Sequence, residues 1–535
     1  MKSIISSFKN IFILVVVSVI AFSLGFTLQN QDPKENALQR LEQLGLLEQN
    51  FTSPSWTQYL RARTAMQNAI KNLVSAEMPY NVNMSINGDP STRMGFAWFT
   101  NPGVTGGKLQ IVEGEQTDYS AFANPMYTIN ATTAAVNNIN YNVSRNYLLE
   151  LAGIPDNTKR SYRSNKALAT NLRPNTTYSF RVGKDGSWSG IGTFTTAKSG
   201  KDDFSFIYIT DTQARTDEMF DISRKTVQAA RKMLPQAGFL ICTGDLVETN
   251  ATNNSEWEWE QWFETMQDVW YTTPIAPVQG NHDSSPNRNM FYHFNTDTAF
   301  NVNRSPDAQL AMNGTVYSFV YGDALFLVVN YEDYRKGEPY FQALEDWMAR
   351  QIEANKDVKW KIATQHKTIY TGAAHQDGAD GRIIRERMAP VYDRLNIDLV
   401  LQGHDHIYEV IGPVYNHEWV RGSVSNVEEE KPRTQRENMT GKRGGVFNVQ
   451  KGTLYFINNS AGRKKYEPRT QTEMTNAFER HGVNNYFSMF TGKFGQDGDP
   501  TFSNIEVSTN QIKITTYSVN FNGETTEFDS FVIVK

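Results

Sequence analysis

Short apolar runs that end in polar residues organise the second half of the chain. Between these runs, apolar positions recur at helical spacing over residues 221–233, 256–270, 341–352 and 383–395. The runs are rich in Val, Ile and Phe and have the length of buried strands. Alternating strands and helices predict a layered α/β (α+β) core over residues 199–535. The runs that matter for function read FSFIYIT, GFLICT, PIAPVQ, VKWKIATQ and IDLVLQ.

Residues 79–198 follow a different pattern. Val82, Met84 and Ile86 alternate with polar residues, and further alternation surrounds Phe96 and Phe180. A period of two with frequent turns predicts an all-β sandwich domain. Farther along, residues 416–450 are polar and rich in charge, and they are predicted to form a mobile insertion.

The amino terminus carries a long uncharged stretch. Lys2 and Lys9 precede IFILVVVSVIAFSLGFTL, which occupies residues 11–28. This arrangement predicts that residues 1–31 are an export signal or a membrane anchor, so that the protein is extracellular, secreted or anchored to the membrane. Residues 32–78 carry a short apolar stripe at helical spacing and are predicted to form a helical segment.

The composition limits the number of domains, the class of partner and the use of disulfides. A chain of 535 residues with 39% hydrophobic and 20% charged residues predicts two or three globular domains. The formal net charge is -5 and no basic patch occurs in the linear sequence, so no nucleic-acid partner is indicated. The single cysteine, Cys242, excludes an intramolecular disulfide and is interpreted as a small buried hydrophobic residue.

Each of the five apolar runs ends in residues that can bind a metal ion. Because ligands bind beyond the strand ends of layered α/β folds, we expect one site, collected at one edge of one sheet. Four of the eight histidines lie in these motifs, which argues against coincidence. The candidate ligands are Asp211, Asp245, Asn281, His366, His404 and His406.

This ligand set is large enough for two divalent metal ions that share one carboxylate. Asp245 is the expected bridge, because it follows a glycine at a strand end where the backbone can come close. His404 and His406 are two residues apart, so in extended backbone they point the same way and each can serve one of two adjacent ions. One metal site would be completed by Asp211 and His406, and the other by Asn281, His366 and His404.

At these residues the chain resembles the calcineurin-like metallophosphoesterases, and its pairing with a preceding β-domain resembles the purple acid phosphatases. The stretch LRPNTTYSFRVG, followed by GTFTT, is similar to the end of a fibronectin type III module, and YFINNSAG and SNIEVSTNQIKITTY resemble the closing strands of the phosphatase family. The resemblance implies a β-sandwich metallophosphatase core flanked by helices in residues 199–535. It also implies a fibronectin type III-like domain in residues 79–198 and two divalent ions, Mn, Fe or Zn, as cofactors.

Two positions depart from the family pattern. Purple acid phosphatases carry an iron-binding tyrosine where this chain has Glu248, so their purple chromophore is expected to be absent. Most other members have a histidine where this chain has Gln213, which can bind a metal only through its weaker, neutral carbonyl oxygen. Two alternatives stay open at this point: Gln213 and Glu248 are metal ligands, or they support the ligands from outside.

Other polar residues beside the motifs are candidates for proton transfer and substrate binding. His282 could donate a proton to the leaving oxygen or bind the phosphate, and Asp283 or Asp405 could orient the histidines. His375 is either a substrate contact or a surface loop residue. The remaining histidines are predicted to be surface or core residues, and they are His293, His417 and His481.

These observations predict an exported, metal-dependent phosphoesterase that hydrolyses phosphate mono- or diesters with a metal-activated water at a dinuclear site. One alternative is a surface-anchored binding protein with a degenerate phosphatase domain, which is suggested by Gln213. Another is a nucleotidase or a cyclic-nucleotide phosphodiesterase.

Overall fold

The computed structural model describes residues 78–142, 158–248, 256–283, 289–298, 312–429, 442–479 and 486–535. The predicted leader at residues 1–31 lies outside these ranges, as does the predicted helical segment at 32–78 except for its last residue. No helix within the described ranges is long and apolar enough to cross a membrane.

The amino-terminal domain is a sandwich of two sheets. One layer has the strand order β1-β2-β6-β5, and the other has β4-β3-β7, with β8 and β9 both paired to β7. Apolar side chains such as Phe96, Leu109 and Phe180 fill the space between the layers, so the predicted all-β sandwich is present. The strands are β1 (Tyr80–Ser85), β2 (Met94–Thr100), β3 (Lys108–Glu113), β4 (Tyr127–Asn130), β5 (Thr132–Asn142), β6 (Thr158–Ala169), β7 (Thr177–Lys184), β8 (Ser187–Trp188) and β9 (Gly192–Thr195).

The carboxy-terminal domain is built from two layers of strands and the helices around them. Its strands are β10 (Phe204–Ile209), β11 (Leu240–Cys242), β12 (Ile275–Pro277), β13 (Tyr317–Tyr321), β14 (Ala324–Val328), β15 (Trp360–Thr364), β16 (Leu399–Gln402), β17 (Tyr408–Tyr415), β18 (Glu418–Trp419), β19 (Val424–Glu429), β20 (Lys442–Asn448), β21 (Thr453–Asn458), β22 (Phe494–Gly495), β23 (Thr501–Val507), β24 (Gln511–Val519) and β25 (Thr525–Val534). Its helices are α1 (Asp217–Met233), α2 (Glu256–Thr265), α3 (Gln267–Trp270), α4 (Asn289–His293), α5 (Glu338–Ala354), α6 (Ala379–Leu395) and α7 (Gln471–Glu479).

The two layers of strands pack face to face through a shared apolar core. Phe206 and Ile241 from one sheet and Phe326 and Leu401 from the other belong to this core. Helices α1, α2 and α3 cover the outer face of the first sheet, and α5 and α6 cover the outer face of the second. The predicted β-sandwich flanked by helices is therefore confirmed, and the lone Cys242 lies buried beneath the first helical layer.

The five motif strands are divided between the two sheets. Strands β10, β11 and β12 are parallel neighbours in the first sheet, and β15 and β16 are parallel neighbours in the second. The expectation that all motifs lie at one edge of one sheet was wrong. A local pattern predicts that a strand exists but does not specify which strands pair.

One sheet runs without interruption through both domains. Strand β1 pairs in parallel with β12, Ser85 lies opposite Ile275, and the Ile86 N–H donates to the Ile275 carbonyl at 3.0 Å. The amino-terminal domain also holds the segment that follows the third motif, because the Asn83 side chain donates to the His293 carbonyl at 2.9 Å. The domain is thus joined to the strand that carries the third motif.

The polar segment at 416–450 is more ordered than its sequence predicts. Val424–Glu429 and Lys442–Asn448 form the antiparallel strands β19 and β20, and β20 pairs with β25. Only Phe447 of β20 is fully buried, whereas the charged residues face outward. The expectation of a mobile insertion was wrong for these two stretches, because charged residues are also typical of exposed edge strands.

Candidate metal centre

Three predicted ligands occupy an unusual backbone conformation. Asp211, Asp245 and His404 follow strands β10, β11 and β16, and their φ angles are 53°, 50° and 72°. Left-handed backbone costs a non-glycine residue about 1–3 kcal/mol and persists where the surrounding structure enforces it, often at functional sites. The sharp turns at these strand ends therefore present the three side chains to one place.

Two motif glycines make room for these ligands. Gly244 has a φ of 93°, and a Cβ atom there would lie 2.6 Å from His366 Nδ1. A Cβ atom at Gly280 would lie 2.2 Å from Asp245 Oδ1. Both positions exclude any larger residue, which explains in physical terms why glycine precedes Asp245 and Asn281.

Asp245, His366, His404 and Asn281 form what we call the compact side. The ligand atoms of Asp245, His366 and His404 all lie within 4.8 Å of one another, and all three residues are buried. His366 Nε2 is 3.3 Å from Asp245 Oδ2 and 3.2 Å from Asn281 Oδ1. Its Nδ1 is 2.8 Å from the Thr243 carbonyl, so Nδ1 carries the proton and Nε2 faces the ligands.

The polar atoms of the compact side fit a divalent metal ion. His404 Nε2 is buried and has no hydrogen-bond partner among the described residues. An unpaired buried polar atom is costly, so its occurrence next to a carboxylate and a second imidazole indicates a ligand position. Carboxylate, amide and imidazole donors together suit Mn, Fe or Zn.

The charges on this side are strongly coupled. Burial alone would lower the pKa of His366, but the Asp245 carboxylate outweighs burial and raises it to about 10. Burial and the Lys367 ammonium hold the pKa of His404 well below its usual value. His404 is therefore neutral, as a metal ligand must be, whereas a metal ion at His366 has to displace a proton.

Asp211, Gln213, His406 and Glu248 form what we call the open side. Asp211 Oδ2 accepts from Thr210 Oγ1 at 2.6 Å and from the His404 N–H at 3.1 Å. Its other oxygen, Oδ1, lies 3.2 Å from His406 Nε2. These residues form no group as close as the compact triad within the described chain.

Gln213 is buried beside the Asp245 backbone. Its N–H donates to the Asp245 carbonyl at 3.1 Å. Neither the oxygen nor the nitrogen of its amide has a partner in the described ranges. Two unpaired polar atoms on one buried side chain indicate that something else binds there, and the amide oxygen suits a metal ion.

Glu248 is tied to cations. Its Oε1 lies 2.7 Å from Lys464 Nζ and 3.3 Å from an Arg215 nitrogen. Its Oε2 is buried and unpaired among described residues. One oxygen is therefore committed to salt bridges, and a role of Glu248 as a ligand stays a prediction.

His282 and Asp283 have different surroundings. The His282 N–H donates to Asp245 Oδ1 at 2.9 Å, and its Nδ1 contacts the Glu248 carbonyl, so its Nε2 is directed towards the site, 3.8 Å from Asp245 Oδ2. Asp283 is fully buried and accepts from the N–H groups of Gly280 and Leu246 at 2.9 and 2.8 Å. The Asp283 carboxylate therefore fixes the second and third motif loops, and its catalytic role stays a prediction.

His375 lies at the rim of the compact side. Its ring stacks on that of His404 at 3.8 Å, and its Nδ1 is 2.7 Å from Asp405 Oδ1. Burial lowers the pKa of His375, but the bond to Asp405 outweighs burial and raises it. Asp405 thus orients His375 rather than His282. Of the remaining histidines, His293 is buried among aromatic rings, His417 contacts Tyr370, and His481 lies outside the described residues.

The sequence analysis did not identify residues 460–466 as part of the site, although they contact the open side. The ring of Tyr466 lies parallel to that of His406, with centroids 4.4 Å apart. The segment is attached to the first motif, because the Gly462 N–H donates to the Asp211 carbonyl at 3.2 Å. Its sequence, SAGRKKY, follows strand β21 and carries three adjacent cations, a signal that could have indicated an anion-binding loop.

The sequence matches two known domain families. Residues 204–408 match the calcineurin-like phosphoesterase family, and residues 79–196 match the purple acid phosphatase N-terminal domain. The fibronectin type III character of that domain stays a prediction.

Several curated proteins are distantly similar. An uncharacterised protein of Mycobacterium tuberculosis is 24% identical over 328 residues, which are 57% of this chain and 59% of that protein. A probable purple acid phosphatase of Arabidopsis thaliana is 27% identical over 260 residues, which are 48% of this chain and 57% of that protein. The chain thus spans less than two thirds of the length of these relatives.

Solved structures share the fold. The purple acid phosphatase PPD1 from yellow lupin seeds superposes with a TM-score of 0.60 at 15% identity and covers 86% of this chain and 74% of that structure. PhoD superposes with a TM-score of 0.50 at 12% identity, covering 86% of this chain and 91% of that structure. The chain therefore combines the two domains of a purple acid phosphatase, with a purple acid phosphatase N-terminal domain in residues 79–196 and a calcineurin-like phosphoesterase domain in residues 204–408.

Proposed function

We propose that the protein is a metal-dependent phosphoesterase that hydrolyses phosphate mono- or diesters at a dinuclear centre. The observation that supports this most is the buried triad of Asp245, His366 and His404, with an unpaired imidazole nitrogen, in a domain of the phosphoesterase family. Asp245 belongs to the compact triad, and its backbone carbonyl accepts from the Gln213 N–H of the open side, so it is the proposed bridge. Divalent ions bound there would polarise the phosphoryl oxygens and lower the pKa of a water.

The residues around the centre have separate roles in this proposal. His282 is oriented by the Glu248 carbonyl, and its Nε2 donates a proton to the leaving oxygen as the phosphorus–oxygen bond breaks. His375 is held in place by Asp405, whose carboxylate raises the pKa of the imidazole and so favours its positively charged form. A positive imidazole at the rim would bind a phosphoryl oxygen of the substrate.

Activity tests the proposal directly. The full-length protein would be stripped of metal with a chelator, reloaded with Mn²⁺, Zn²⁺ or Fe²⁺, and assayed on aryl phosphomonoesters and phosphodiesters. We expect metal-dependent turnover of at least one class. A folded, metal-loaded protein that hydrolyses neither would refute it, and nucleoside monophosphates and cyclic nucleotides in the same panel would reveal a nucleotidase or cyclic phosphodiesterase.

The unusual open side favours one alternative, a binding protein with a degenerate phosphatase domain. Gln213 and Glu248 replace stronger family ligands, and Glu248 is already paired with cations. Elemental analysis after metal loading separates the two functions. Close to two ions per chain supports the dinuclear enzyme, and almost no metal supports the binding protein.

We also propose that the protein is exported, from the uncharged stretch at residues 11–28 that follows Lys2 and Lys9. Fractionation of cells that express the full-length chain tests this proposal. Recovery outside the cell or in the membrane fraction is the expected result, and recovery in the cytosol contradicts it.

A further inference from the structure

Lys464 and Arg215, which we call the basic pair, lie beside Glu248 on the open side of the centre. Lys464 Nζ and an Arg215 nitrogen both approach Glu248 Oε1, at 2.7 and 3.3 Å. The carboxylate is almost fully buried, whereas the Lys464 and Arg215 side chains are 32% and 55% exposed. The two cations thus share one carboxylate oxygen, and both side chains remain partly exposed.

Glu248 joins this pair to the candidate general acid. Its backbone carbonyl contacts His282 Nδ1, and its side chain holds Lys464 and Arg215. The cations therefore lie on the same side of the centre as the group proposed to protonate the leaving oxygen. His375, which is proposed to bind the phosphoryl group itself, stacks on His404 of the compact side instead.

The basic pair is preorganised. A buried carboxylate fixes the ends of two long side chains that would otherwise lose rotamer freedom when they bind a ligand. Lys464 has three N–H groups, and its ammonium donates to no described residue other than Glu248. The segment that carries Lys464 is also fixed at both ends, by the bond from Gly462 to Asp211 and by the stacking of Tyr466 on His406.

We propose that Lys464 and Arg215 form a subsite for a second anionic group on the leaving group of the substrate. The substrate class is then phosphate esters or anhydrides whose leaving group carries a further phosphate, such as nucleoside diphosphates. This proposal rests on the proposed phosphoesterase function. It explains why the buried Glu248 carries two half-exposed cations at the rim of the centre.

Binding measurements on the metal-loaded, full-length protein test the subsite. The probes are methylenediphosphonate, which carries two anionic groups, and methylphosphonate, which carries one. A charged hydrogen bond of this kind corresponds to about a tenfold change in affinity. Lys464→Gln should therefore weaken binding of methylenediphosphonate about tenfold and that of methylphosphonate less than about twofold, whereas Lys464→Arg should retain both affinities.

Lys513→Gln is the matched control. Lys513 is also a partly exposed lysine paired with a glutamate, Glu506, at 3.9 Å. Lys513 lies opposite Glu506, and Glu506 pairs with Ser205 at the start of β10. Asp211 follows the other end of β10, so Lys513 lies away from the centre. The control should leave both affinities unchanged. Equal weakening of both probes by Lys464→Gln, or of neither, would overturn the subsite.

Kinetics separate this proposal from the function on which it rests. With ADP, Lys464→Gln should lower kcat/KM about tenfold, and with p-nitrophenyl phosphate less than about twofold. Wild-type turnover of p-nitrophenyl phosphate with no selective effect of the variant would overturn the subsite and leave the phosphoesterase intact. Selective binding of the diphosphonate without turnover of any ester would support the subsite and refute the enzyme.

Discussion

The compact and open sides of the centre differ in how completely their polar atoms are organised. On the compact side, Asp245, His366 and His404 approach within 4.8 Å, and the Thr243 carbonyl fixes the His366 tautomer. On the open side, Gln213 has a buried amide without a described partner, and the Glu248 carboxylate is bound to two cations. Under the proposed dinuclear function, the site on the compact side would therefore bind its ion more strongly than the site on the open side, because its ligands are better organised.

Replacement of Asp245, the proposed shared ligand, should weaken metal binding on both sides of the centre. Asp245→Asn keeps the shape of the side chain but removes the charge that offsets the positive His366. Loss of an outer-shell partner of a metal ligand alone costs about 10–100-fold, so loss of the bridge should lower turnover by more than about 100-fold. Turnover and elemental analysis check this, and full activity in the variant would show that Asp245 does not bridge.

Removal of one ligand from each side should lower metal affinity by different amounts. His404→Ala removes a neutral imidazole from the compact triad, and Gln213→Ala removes only a weak amide donor. We expect metal affinity to fall by more than about tenfold in the first variant and only a few-fold in the second. Calorimetric titration of stripped protein measures both, and equal losses would contradict the difference between the sides.

Asp405→Asn should affect the substrate rather than the metal. Asp405 accepts the bond from His375 and raises its pKa. The pKa of His375 should therefore fall in the variant, and the imidazole should lose its charge at a lower pH. NMR titration of the metal-free protein measures the shift. We expect about a tenfold lower turnover with unchanged metal content, and loss of metal would instead make Asp405 part of the metal centre.

The smallest expected effect is a gain in metal affinity on the open side. Gln213→His supplies the imidazole that most family members carry there, and it fits beside Asp245 only if the buried amide already faces the metal position. Metal affinity at the weaker site should rise a few-fold. The same calorimetric titration resolves the two sites, and a destabilised variant with unchanged affinity would show that Gln213 faces elsewhere.

The sequence predicted the candidate ligands but not the roles of their neighbours. Asp283 follows His282 directly and looked like a partner for it, yet its carboxylate accepts backbone N–H groups from the motif loops. Adjacent residues in a turn point in different directions, so chain proximity was a poor guide. Asp405 contacts His375, 30 residues away along the chain, and no local pattern indicates such a pair.

Tyr466 and Lys464 escaped prediction for a related reason. Both follow strand β21, which carries none of the five metal motifs, and they reach the centre only because that strand pairs in parallel with β16. Their residue types are common on protein surfaces, so only their position in the folded chain indicates a role at the centre.

Periodicity, strand-end motifs and glycine spacing determined the fold class and the six candidate ligands, because these features depend on local backbone geometry and on which residues can be buried. The tertiary structure decided that the motifs come from two facing sheets, that one sheet runs through both domains, and that Glu248 holds two cations. Those features depend on pairing between residues far apart in the chain, and a pairing of that kind leaves no periodic trace in the sequence.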